Sequence, residues 1–211
     1  MGPNETEPTS PHPVLPVLDD LVRVIGATTP QQDAAPTPCA GLDVVSLRGH
    51  LLGGTGYFSV VLADPDGDRR PDPRAYAGPD GADVLIAAVQ ELSVAVRTAL
   101  AGGVAAVPVR VPALGGTFPG AYVLDMLLTE AVVHGWDLAR ATGQTWRPDR
   151  AASERARALL ADQIRPEYRG GAGMPFGPEV PVRPDAPALD RLLAFAGRTP
   201  DWTPTAVTQG G

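Results

Sequence analysis

Lysine is missing from the sequence: all 17 basic residues are arginine. With abundant Ala, Gly and Pro, this is the usage of a GC-rich genome. Cysteine is scarce too. A single one, Cys39, excludes an internal disulfide and any paired-cysteine metal motif, and fits a reducing compartment such as the cytoplasm. There is no Gly-x-Ser-x-Gly elbow and no phosphate-binding loop. The formal net charge is −7 with no basic cluster, which excludes nucleic acid as an expected partner. No apolar run approaches the length of a membrane span, so no membrane association is expected. The N-terminus, MGPNETEPTSPHP, lacks the basic and apolar regions of a signal peptide.

What is present suffices for a core. Apolar residues make up 44% of 211 positions, too many for a disordered protein, while 24 Gly and 24 Pro predict long, stiff connections. Residues 1–13 read as a disordered leader that contains His12, residues 14–202 as one domain, and residues 203–211 as a disordered tail. Apolar stripes at helical spacing predict helices over Leu15–Ile25, Val44–Leu62 with Asp43 as N-cap, Asp83–Leu100, a fourth from near Pro119 to Gly143, then Arg150–Ile164 and Ala188–Ala196. Val104–Val111 has extended character, but Pro108 and its isolation predict a crossover segment rather than a sheet strand. The expected fold is all-α: a four-helix bundle with extra short C-terminal helices.

The fourth helix carries the chemistry. In YVLDMLLTEAVVHGWDLARATGQ (residues 122–144), Val123, Met126, Leu127, Glu130, His134, Asp137, Leu138 and Ala141 share one face. Glu130 and His134, four apart, stack one turn above another. A carboxylate and an imidazole aimed into a core are costly to desolvate unless compensated, and a metal ion compensates both. The competing reading is a solvated surface pair. A third ligand is available in His50, which shares a face with Val44, Leu47 and Leu51 and so points inward with them. By itself it reads as a core histidine satisfied by one hydrogen bond. His50, Glu130 and His134 are therefore the candidate metal ligands. Such a trio leaves a position for water or substrate; zinc is the first choice, and nickel, iron and manganese accept the same donors.

Glycines crowd the turns beside His50: Gly49, Gly53, Gly54 and Gly56. Each costs a helix about 1 kcal/mol relative to Ala. Either the helix bends there and Tyr57 or Phe58 fills the gap, or the missing side chains leave a wider entrance to the metal. Cys39, in the segment TPC before the helix cap, reads as a packed small residue rather than a nucleophile.

The segments TPCAGLDVVSLRGHLLGG, VVHGWDLARATGQ and FGPEVPVRPDAPALDRLLAFAGRTPDW resemble the actinobacterial branch of the DinB/YfiT-like superfamily. Its best-understood relative is mycothiol-dependent maleylpyruvate isomerase, whose N-terminal domain the chain looks like. The resemblance covers about Leu15 to Trp202. It implies a four-helix bundle with a metal held at the positions of His50, Glu130 and His134. Asp137 matches a recurrent acidic residue; it is the candidate catalytic residue, orienting an imidazole or a polar substrate, with a capping or salt-bridge role as the other reading. The chain departs from the family at Leu42, often Trp, at Gly49, often Asn, and at Thr55-Gly56, often Asn-Arg; it is too short for the isomerase's second domain.

The implied function is a metal-dependent isomerase or thiol transferase that acts on a small electrophilic metabolite through a metal-activated thiol, mycothiol for example, or water. Two others stand beside it: a Lewis-acid isomerase or cyclase of secondary metabolism without a thiol, and a non-catalytic metal- or ligand-binding protein. A thiol user needs cationic groups to hold the sugar-like part of its cofactor, and Arg48, Arg74 and Arg140 are candidates. The expected partners are a small-molecule substrate and, at most, a second copy in a weak homodimer.

Overall fold

A computed structural model describes residues 12–70, 72, 81–170 and 176–204. The expected leader and tail lie outside these residues except for positions 12, 13, 203 and 204, and Arg74 lies outside them too. The described chain is mostly helical. In order come α1 (Val14–Gly26), α2 (Val44–Ala63), α3 (Ala82–Ala101), the strands β1 (Pro108–Val111) and β2 (Gly116–Pro119), α4 (Gly120–Ala141), α5 (Arg150–Gln163) and α6 (Ala188–Phe195).

Local chemistry explains the helix ends. The Asp43 carboxylate accepts the Ser46 backbone N–H at 2.9 Å and opens α2; Asp149 does the same for Ala152 at 2.6 Å and opens α5. Gly143, at φ +71°, takes the left-handed conformation that follows α4. Val14, Val17, Leu18, Leu21, Val24 and Ile25 of α1 are all buried, as an amphipathic stripe demands. α1 and α2 each pack on both α3 and α4, while α5 lies on α4 and α6 on α5. The core runs between these layers.

Three expectations need correction. Val104–Val111 is not a plain crossover: β1 pairs antiparallel with β2, Pro108 opposite Pro119 and Val111 opposite Gly116. Both prolines occupy the open end of the ladder, where a missing N–H costs least, and Val109 and Val111 are buried on one face. Second, α3 is 20 residues long with a mean hydropathy of 1.6, which is long and apolar enough to cross a membrane. Its residues Leu85, Val89, Leu92 and Val96 are buried in the core, Val84, Ile86 and Leu100 are half-buried, and Val94 is exposed. Third, His12 has a partner: its Nε2 lies 3.2 Å from Asp125 on α4, which also pairs with Arg155 of α5.

α4 is backed by an aromatic ring. A Cβ on Gly135 would come within 2.4 Å of Trp146, whose indole N–H donates to the Val132 carbonyl at 3.0 Å. The ring thus lies flat against the turn opposite the polar face and fixes which way that face points.

Candidate metal centre

α4 presents Glu130, His134 and Asp137 on successive turns, and α2 brings His50 opposite them. Glu130 Oε2 lies 3.5 Å from His50 Nε2 and 3.4 Å from His134 Nε2. One donor atom from each of the three residues falls within 4.8 Å of the other two. The two imidazoles meet edge to face, centroids 4.7 Å apart.

These separations bear on what the trio can hold. Contacts of 3.4 and 3.5 Å are long for charge-assisted hydrogen bonds. They are close to the roughly 3.3 Å edge of a tetrahedron whose centre lies about 2.0–2.1 Å from each donor, the zinc–nitrogen and zinc–oxygen range. The donor set fits a divalent cation.

Behind His134 the carboxylate of Asp137 accepts from Nδ1 at 3.0 Å. Asp137 has no exposed surface and is held in turn by Arg198, from the turn after α6, at 3.2 Å. Arg198 also donates to Cys39 Sγ at 3.3 Å and to the Ala196 carbonyl at 3.0 Å. Asp137 therefore acts on the site through His134. It fixes the ring and, when Nδ1 carries its proton, leaves Nε2 turned toward Glu130.

Burial disfavours the charged form of both Glu130 and His134, and is outweighed in each. Hydrogen bonds and charge from His134 and His50 hold the Glu130 carboxyl well below the usual range. Hydrogen bonds to Asp137, Cys39 and Glu130 push His134 well above an ordinary histidine. The field that holds a proton on His134 is one that attracts a cation.

The polar face meets open space rather than packed core. Side chains of His50 and Glu130 are 48% and 47% exposed, against 12% for His134. The inward aim expected for His50 and Glu130 ends at the floor of a cavity of about 520 Å³. α2, α4 and α5, the β1 end and the Arg198 turn enclose it. α2 runs through its glycines without a break. Gly54, one turn beyond His50, lines the cavity, and a Cβ there would meet nothing within 4 Å. Tyr57 and Phe58 form cavity wall, whereas Trp136 is buried on another side of α4.

Other expectations fare differently. Arg48 is buried and pairs with Asp33 at 2.8 Å, and Arg140 donates to the Trp202 carbonyl at 2.6 Å; neither lines the cavity. The guanidinium at the cavity belongs to Arg198, and Cys39, expected as a packed residue, stands beside it. Sequence reasoning missed both because they sit outside the periodic segments. The only signal was their place in the segments of family resemblance.

The profile of the mycothiol maleylpyruvate isomerase N-terminal domain matches residues 14–139. The chain belongs to that family. It is similar to two uncharacterized proteins of Mycobacterium tuberculosis, Rv0738 of strain H37Rv and MT0763 of strain CDC 1551. Each is 34% identical over 187 residues, which cover 86% of this chain and 93% of the relative. No solved structure matches.

Proposed function

We propose that this protein is a metal-dependent enzyme of the isomerase or thiol-transferase type, with the metal held by His50, Glu130 and His134. The supporting observation is the meeting of three donors from two helices on the floor of one cavity. A divalent cation there supplies Lewis acidity, bringing the pKa of a thiol or water into the neutral range. His50 and His134 provide nitrogen donors and Glu130 neutralises part of the charge. Asp137, which has no exposed surface, positions His134, and Arg198 holds Asp137 from the cavity wall.

In this reading α1–α4 form a four-helix bundle of the DinB/YfiT-like kind, and residues 14–202 make one cytoplasmic domain, a monomer or weak homodimer without nucleic-acid or membrane partners. The thiol is mycothiol or a similar small thiol. Its use is tested with cobalt in place of the native metal: adding mycothiol should produce a thiolate-to-cobalt charge-transfer band. If cobalt binds and no band develops at saturating mycothiol, the thiol leaves the proposal. The second reading, Lewis-acid isomerase or cyclase chemistry without a thiol, then takes its place.

A further inference from the structure

The walls above the three donors are mostly apolar among the described residues. Tyr57 and Phe58 of α2, Met126 of α4, Leu159 and Leu160 of α5, and Phe176 rise around the floor. Among the described residues, the polar and charged groups of the lining form a short set. His50, Glu130 and His134 are the donors, Cys39 and Arg198 lie beside them, and Thr129, Gln163 and the Tyr57 hydroxyl, which is buried without a hydrogen-bond partner, complete it. Most of that set is already engaged. Arg198 is committed to Asp137, Thr129 donates to the Asp125 carbonyl at 2.8 Å, and Gln163 donates to the Tyr122 hydroxyl at 3.0 Å. A molecule with several anionic groups finds few free partners along this wall, the Tyr57 hydroxyl being one. Burying unpaired polar groups there costs on the order of 1–3 kcal/mol each. An apolar body instead gains from every methylene it removes from water. At about 520 Å³ the cavity is in the size range of sites that enclose whole small ligands.

We propose that the substrate is a molecule with one metal-binding polar head and an extended apolar body, an acyl chain or a hydrocarbon ring system, which lies against the wall of Tyr57, Phe58, Leu159 and Leu160. This inference rests on the metal reading above. Gly54 belongs to the same device: beside His50 it leaves open the space through which the body passes from floor to wall.

The probes are n-alkyl hydroxamates, which present one constant metal-binding head and a tail of variable length. Affinity for the zinc-loaded full chain is measured by calorimetry from acetohydroxamate to octanohydroxamate, with zinc content assayed on the same sample. Affinity should rise about threefold to fourfold per methylene. Gly54→Leu, whose side chain projects into the open space, should shrink the ratio of octano- to acetohydroxamate affinity; circular dichroism checks that α2 still forms. Equal affinities along the series, with zinc bound, overturn the apolar-substrate inference and leave the metal site standing. A full chain that does not retain zinc overturns the metal reading and this inference with it; one that binds zinc and no hydroxamate overturns this inference and leaves the metal site standing.

Discussion

Asp137 is completely buried, yet it carries a charge shared between an imidazole and a guanidinium. Its place predicts a specific loss. Asp137→Asn weakens the hold on His134 Nδ1 and should lower metal affinity about 10- to 100-fold, read by competition with a chromophoric chelator. The melting temperature should fall as well, since Arg198 loses its counter-charge. Unchanged metal affinity would show that Asp137 serves only the fold. A second carboxylate predicts a pH effect. Burial raises the Asp125 carboxyl, but hydrogen bonds and charge from His12 and Arg155 more than offset this and hold it below its ordinary value. A depressed folded pKa means that Asp125 stabilises the fold fully above about pH 4, the unfolded aspartate value. The contribution disappears as the pH falls through the folded value. Asp125→Asn should therefore be less stable than the parent at pH 6 in urea titrations, and the gap should close as the pH drops below 4. A gap that persists in acid contradicts this assignment. At this scale the sequence was readable where a helix face fixed the neighbours: His50, Glu130 and His134 come together because two helical periods aim them at one place. It was silent on Arg198 and on the partners of Cys39 and His12. These lie on turns and chain ends, where no periodicity says which distant group they meet.

The helices were legible at their ends because caps and stripes are local. Asp43 shows it: Asp43→Ala should cost about 1 kcal/mol through loss of the bond to Ser46, measured by chemical denaturation. The hairpin was not legible, since four-residue strands bounded by prolines carry almost no pattern. Nor was the way α4 is backed. Gly135 looks like a flaw in a helix until Trp146 is seen lying where its Cβ would be. Gly135→Ala gains helix propensity of about 1 kcal/mol but must push the ring aside, and overpacking of this kind costs about 1–3 kcal/mol. The melting temperature should fall, and metal affinity with it, because α4 turns its polar face by way of this contact. A melting temperature above that of the parent would show that the ring moves freely.

For the whole molecule, Gly54 of α2, the wall of the cavity and the family all bear on one site. The acidic surface, net charge −7, predicts no association with duplex DNA at physiological salt; tight, salt-sensitive binding would contradict it. The space beside His50 could not be read from the sequence, because a run of glycines fits a broken helix as well as an open chamber. The continuous α2 and the lining by Gly54 distinguish these. The claim on which the rest depends is that His50, Glu130 and His134 hold one divalent metal. It is tested most directly by elemental analysis of the full chain purified without chelator, beside His134→Ala purified in parallel. The account predicts close to one metal per chain in the parent and a nearly complete loss in the variant, with helical content retained in both. Full metal content in His134→Ala, or a parent that neither carries nor takes up a divalent metal, would contradict it.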